Sequence, residues 1–278
     1  MRESIEAQIG ALRADGYVLL PKFVPQGALE TLRERARAEL AARQAPLELE
    51  AELQYPGAPR SPTAAGGQTV RRLLDAYGRD PAFRHWATAP AVRAWMGAYF
   101  AEDVLLSRAH HNCLMTKHPL YGSMTGWHRD IRYWSFERED LVSVWIALGP
   151  ETVENGALWF VPGSHAMALG PERFDEAKFL RIDRADNAEI VRSAVSMRLA
   201  PGDAVLFHCN TLHSAGTNTS AEVKFSLVFT YHGRSNAAKP GTRSASKDEV
   251  SLSAAAAAQR SSSRDAAADS SRGGDFIG

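Results

Sequence analysis

The rhythm of apolar residues along the chain changes near residue 104. Before that point they recur at three- and four-residue intervals. Ile5, Ile9 and Leu12 mark one amphipathic helix, broken at Asp15-Gly16. Leu29, Leu32, Ala36 and Leu40 mark a second, from Pro25 to about Arg43, with charges on its other face. Tyr17-Val-Leu-Leu20 between them reads as a short strand closed by Pro21. Residues 55–68, punctuated by Pro and Gly, form a loop, and helical spacing returns at Val70–Tyr77 and Ala89–Tyr99.

From Val104 onward the pattern is one of short runs rich in β-branched and aromatic residues: Val104–Thr116, Met124–Trp134, Leu141–Leu148, Ala157–Val161, Ser193–Leu199, Ala204–Phe207 and Lys224–Tyr231. Turn signals separate them, among them His118-Pro119, Asn155-Gly156, Pro162-Gly163 and Pro201-Gly202-Asp203. Repeated short strands at this spacing predict a sandwich or barrel. Leu141–Leu148 is apolar at successive positions, as in an interior strand covered on both faces. Residues 166–192 are charged and irregular and read as an excursion from the sheet, a lid in form. From 236 to 278 the chain runs to Ala, Ser, Gly and charge, which predicts a low-complexity, disordered tail. The expectation is one domain over 1–235, helical over 1–100 and a barrel over 104–232.

Composition narrows the function. Thirty-two Lys and Arg balance 32 Asp and Glu, so the chain lacks the basic excess of a nucleic-acid-binding domain. Two cysteines, Cys113 and Cys209, are too few for a disulfide framework and point to a reducing compartment. No window approaches 18 apolar residues, and the first ten residues have no signal-like apolar run. The expectation is a cytoplasmic protein acting on a small molecule, with no nucleic acid, membrane or protein partner implied.

Among nine histidines, His128-Arg129-Asp130 stands out. In a strand, residues i and i+2 share a face, so one imidazole and one carboxylate project together and supply two ligands for a divalent metal. A hydrogen-bonded His–Asp pair has the same spacing. A third ligand from a later strand has two candidates, His208 and His213. Two imidazoles and a carboxylate on one side of an ion leave three positions open, as in non-haem Fe(II) oxygenases, although a zinc hydrolase uses the same donors. Lys224 lies in an otherwise apolar strand; with Ser226 on the same face it forms either a cationic floor for a ligand carboxylate or part of a solvated surface. Arg108, His110 and Asn112 share one face, which is either a pocket wall or a solvent face. His110 and His111 are adjacent, so they face opposite ways, and one of them can line a pocket.

His128-Arg-Asp130, Trp145 within Ser-Val-Trp-Ile-Ala, Glu154-Asn-Gly-Ala-Leu-Trp-Phe-Val-Pro-Gly-Ser-His165, Pro201-Gly-Asp203 and the series His213, Asn218, Lys224 occur in that order. Together they resemble the phytanoyl-CoA dioxygenase family of Fe(II)/2-oxoglutarate-dependent oxygenases, from Asp15 to about Tyr231. The resemblance implies a mainly β, cupin-like jelly roll (a double-stranded β-helix) with N-terminal helices outside it. It implies Fe(II) held by His128, Asp130 and His213, with 2-oxoglutarate and O2 as co-reactants. Oxidative decarboxylation to succinate and CO2 would then drive hydroxylation of an unactivated C–H bond. A carboxylate at Asp130, where Gly or Ala would admit a halide, implies hydroxylation over halogenation.

By the same resemblance the cosubstrate meets Lys224, where the family usually has Arg, together with Trp145, Ser226, Cys113 and Arg72. Arg72 also reads as a surface residue of a helix. The family's Ser two places beyond the distal His is Ala215 here, with Ser214 beside it. Arg108, His110, Asn112, Arg132, Tyr133 and Trp134 are the substrate candidates. The competing class is a non-catalytic or non-redox metal-binding barrel that binds a small acid, and Lys in place of Arg keeps that class in view.

Overall fold

The computed structural model describes residues 3–53 and 55–253. The helices are α1 (Ile5–Asp15), α2 (Gln26–Ala42), α3 (Glu50–Leu53), α4 (Ala76–Arg79), α5 (Pro81–Ala87), α6 (Pro90–Phe100) and α7 (Ala185–Val191). The strands are β1 (Tyr17–Leu20), β2 (Leu47–Leu49), β3 (Val70–Leu74), β4 (Val104–Lys117), β5 (Thr125–His128), β6 (Val142–Ala147), β7 (Leu158–Phe160), β8 (Val195–Ser196), β9 (Ala204–His208), β10 (His213–Ala215), β11 (Lys224–Gly233) and β12 (Val250–Ser251).

Two antiparallel sheets face each other. The larger runs β1-β9-β6-β11-β4-β3-β2, with β12 also on β4, and the smaller runs β5-β10-β7-β8. This is the expected double-stranded β-helix, left open where the sheets are not paired to each other. Strand alternation gives the large sheet two apolar faces. Outward, Leu106, Leu114, Val144, Ile146, Leu206, Leu227 and Phe229 pack under Leu12, Leu29, Leu32, Phe83, Trp95 and Met96 of the helices. Inward, Cys113, Trp145, Ala147, Val205, Phe207 and Val228 meet Leu158, Phe160 and Ala215 of the small sheet. β6 is buried at every position, as its unbroken apolar run predicts.

Two expectations fail, each for a tertiary reason. Val70–Tyr77 is not a helix: β3 occupies Val70–Leu74 because it pairs with β4 on one side and β2 on the other, and ladder partners outweigh the weak periodicity of five residues. Nor does a detached tail begin at residue 236. Asn236 is buried and bonds the carbonyls of Arg138 and Asp140, β12 adds to β4, and Leu252 is 2% exposed in the helix-side core. Sparse apolar residues over 236–253 are enough because β4 offers an unpaired length at Leu105 and Leu106. The remainder of that tail, 254–278, lies outside the described residues.

Leu252→Ala should therefore lower stability by about 2–5 kcal/mol, read as a shift in the urea midpoint. A midpoint that stays put would detach this segment from the core.

Two histidines outside the inner face are half-buried. His110 lies against Trp134 and bonds Ser244, and its pKa is lowered to about 3 by burial, then by Arg243. His208 is lowered to about 4 by burial, then by His165. Both are neutral when folded and gain protons on unfolding. Stability of the metal-free protein should therefore fall as pH drops from the ordinary imidazole value near 6.5 towards 4, by up to about 1.4 kcal/mol per pH unit for each. Denaturant midpoints across that range test this, and His208→Gln should make the slope shallower.

Candidate metal centre

His128 ends β5, Arg129 stays extended (φ −106°, ψ 139°), and Asp130 opens a 3-10 turn, so the two-residue alternation carries through to the carboxylate. Arg129 points the other way and donates to the carbonyls of Ser164 and Met167. β10 pairs with β5 in a register that sets His213 directly opposite His128. The two imidazole centroids are 4.1 Å apart, and each Nε2 lies 3.6 Å from Asp130 Oδ1.

The hydrogen bonds of the two rings select a ligating tautomer. His128 Nδ1 is 2.8 Å from the Gly126 carbonyl and His213 Nδ1 is 3.0 Å from the Thr211 carbonyl. A carbonyl only accepts, so each Nδ1 carries the proton and each Nε2 presents a lone pair to the shared space. Burial and the neighbouring His213 lower His128 to about 3, keeping it neutral. Asp130, buried among the imidazoles of His111, His128 and His213, is the carboxylate of the set. Asp130 Oδ2 is buried and has no hydrogen-bond partner among the described residues. Two aimed lone pairs, one carboxylate and an orphaned oxygen, with one donor atom from each residue lying within 4.8 Å of the others, form a donor set fit for a divalent ion. His208 is not part of it; it sits on the far side of β9's end, 3.8 Å from Asp140.

The centre opens into a cavity lined by Arg72, His111, Met115, Trp145, Lys224 and Ser226, and bordered by Ser214. Cys113 lies in the same inner core as Trp145, with Val228 between them in the sheet. Lys224 is not on a solvated face. It is buried, and its Nζ donates to Glu151 Oε2 at 2.9 Å and to the Gly156 carbonyl at 3.0 Å. Arg72 is partly open to the cavity, with Nε 3.4 Å from Glu48 Oε1.

Arg108, His110 and Asn112 do not line this cavity. They are the even-numbered set of β4 and face outward: Arg108 and Asn112 bond Asp75, and His110 bonds Ser244. The odd set faces inward, which brings His111 Nδ1 to 3.4 Å from Asp130 Oδ2. Arg132 and Tyr133 instead hold the 166–192 excursion, through the Ala177 carbonyl, and the Arg132 guanidinium lies 4.1 Å from the Phe179 ring centroid. Phe179 in turn stands edge-on to His128. Trp134 is edge-on to His111, so of the three it approaches the centre through that ring.

Sequence reasoning missed His111, Glu151 and the buried network in which Arg71 joins Glu50, Ser123 and Thr125. Parity would have found His111, since it shares the inward face of Cys113. A buried Lys224 demands an anion, and Glu151 is the carboxylate next after the apolar β6 run.

Among known proteins the chain is 24% identical over 212 residues to a probable phytanoyl-CoA dioxygenase of Caenorhabditis elegans, covering 73% of this chain and 67% of that protein. It spans about two thirds of the length of the curated relatives it matches first. Its fold is that of EctD from S. alaskensis, crystallised with 2-oxoglutarate and 5-hydroxyectoine (TM-score 0.72, 20% identity, 88% of this chain and 85% of that one). It is also that of the epimerase SnoN from nogalamycin biosynthesis, crystallised with Fe3+, alpha ketoglutarate and nogalamycin RO (TM-score 0.68, 24% identity, 85% of this chain and 86% of that one). The profile of the phytanoyl-CoA dioxygenase family matches residues 12–226, and the chain belongs to that family.

Proposed function

We propose that the chain is an Fe(II)- and 2-oxoglutarate-dependent dioxygenase that hydroxylates an unactivated C–H bond of a small organic molecule, releasing succinate and CO2. The observation that carries this reading is the pair of Nε2 lone pairs converging with Asp130 on one side of a buried space. His128, Asp130 and His213 would hold the iron. When bound, iron with 2-oxoglutarate supplies the oxidising chemistry that the side chains lack.

The chain's own part is placement and exclusion of water. Thr211 and Gly126 fix the ligand rings through their carbonyls. Leu158 and Phe207 give the cavity apolar walls. Arg72 lines the cavity and suits a ligand carboxylate there. Trp145 forms a flat wall beside the cosubstrate, with Ser226 and Lys224 beyond it; Cys113 shares its inner core and Ser214 borders the cavity. Asp130 keeps a third protein ligand in place, which favours hydroxylation over halogenation. The substrate approaches past His111 and Trp134, on the side where Arg132 and Tyr133 anchor the excursion. Both cysteines are free and buried, consistent with a reducing, cytoplasmic setting, and no described helix is long and apolar enough to cross a membrane.

Anaerobic addition of Fe(II) and 2-oxo acid should produce the weak visible absorption band of a metal-chelated 2-oxo acid, and a metabolite screen should find substrate-dependent succinate release. His128→Ala and His213→Ala should each abolish the band and metal binding by calorimetry, whereas His208→Ala should leave both. Loss of binding with His208→Ala alone would replace the third ligand. No band with any 2-oxo acid would leave the non-catalytic acid-binding barrel as the reading.

A further inference from the structure

The far end of the cavity is a built carboxylate site that already contains a carboxylate. Glu151 is 1% exposed. Its Oε1 accepts from Trp145 Nε1 at 2.9 Å and Ser226 Oγ at 2.6 Å, and its Oε2 accepts from Lys224 Nζ at 2.9 Å. Its backbone is fixed as well, exchanging both hydrogen bonds with Leu199. The three donors are the very side chains expected at the tail of a cosubstrate.

The neighbouring cations offer no substitute for Lys224 at that end. Lys117, opposite Lys224 in the ladder, donates to the carbonyls of Ser123 and Gly216; burial and then the Lys224 charge push it well below the usual lysine range. Arg71 is bound to Glu50, Ser123 and Thr125. Arg72, level with Ser226 across Met115 in the ladder, has its Nε 3.4 Å from Glu48 Oε1, so its charge is already shared with a carboxylate. A second ligand carboxylate at the far end would meet Glu151 in a site with one lysine charge for two anions.

We infer that Glu151 is a specificity-determining residue, an internal occupant of the tail subsite that discriminates against a second carboxylate and favours 2-oxo acids with an uncharged tail. This rests on the iron- and 2-oxo-acid-dependent part of the reading above and narrows its cosubstrate, leaving 2-oxoglutarate as a weak ligand that still gives succinate. It follows that 2-oxoglutarate binds weakly and competes with Glu151 for Lys224, Ser226 and Trp145. A five-carbon monoacid such as 2-oxopentanoate, with a methyl in place of the second carboxylate, leaves those bonds intact.

The test is anaerobic titration of the Fe(II)-loaded full chain with each acid, read by the chelate band and by the shift in thermal midpoint. The wild-type protein should bind 2-oxopentanoate more tightly than 2-oxoglutarate. Glu151→Gln keeps an acceptor for Trp145 and Ser226 while freeing the Lys224 charge. It should lower the ratio of the 2-oxoglutarate Kd to the 2-oxopentanoate Kd at least tenfold. A wild-type preference for 2-oxoglutarate overturns the inference even if the variant does not fold, and so does a ratio unmoved by Glu151→Gln. Either result leaves the oxygenase reading standing, whereas absence of a band with both acids removes that reading and the inference together.

Discussion

Strands buried on both faces leave no water for an inward side chain, and that constraint organises the molecule. β6 and β11 lie between the helix layer and the small sheet, so each polar residue they turn inward must find its partner inside. Ser143 meets Thr230, Ser226 and Trp145 meet Glu151, and Lys224 meets Glu151 and the Gly156 carbonyl. Among the described residues Asp130, Glu48 and Glu50 each keep a buried carboxylate oxygen without a hydrogen bond, and of these Asp130 is the one faced by two imidazoles whose proton-bearing nitrogens are already engaged. An unsatisfied carboxylate oxygen in that surrounding is costly unless a cation joins it, and the two imidazoles beside it make this the position suited to a metal ion.

The same constraint explains what could be read from the sequence. Strand parity needs only two residues, so His128 with Asp130 and Lys224 with Ser226 could be assigned to common faces directly. The choice between His208 and His213 could not be made from spacing, because it depends on which of them β5 pairs with, a contact between residues 85 apart in sequence. In β4 parity leaves the even set as either pocket wall or solvent face, and the structure turns it outward while His111 of the odd set faces the centre. Glu151 escaped because it follows its strand in a turn, where side-chain direction is set by the bridge to Leu199 rather than by alternation. Residues 236–253 escaped because their order comes from β4's free edge and not from their own composition.

Lysine at 224 and glutamate at 151 make sense as a unit. A guanidinium keeps donors to spare after one carboxylate contact, whereas an ammonium of three donors is nearly spent on Glu151 and Gly156. Removing one partner from so buried a pair typically costs about 3–5 kcal/mol, which is why the pair cannot simply part to admit a ligand. The packing here stabilises the lysine's charge by the same contacts that make it unavailable.

The sides of the centre also differ in how they are closed. The sheets close it by packing, through Leu158, Phe160 and Phe207. The 166–192 excursion covers another side with a small apolar cluster, Leu180, Met167, Leu169, Phe174 and Ile190 on Val161 and Leu212, and with hydrogen bonds from Arg132 and Tyr133 to the Ala177 carbonyl, Lys178 to the Arg132 carbonyl, and buried Asn187 to the Arg173 and Arg181 carbonyls. Phe179 is the aromatic ring this segment places against His128, and it is held there by Tyr55 and the Arg132 guanidinium. Such partly exposed bonds open at far lower free energy than a packed sheet. The fold sets a partly exposed, hydrogen-bonded rim around Phe179 against a buried floor where Lys224 and Glu151 are already paired.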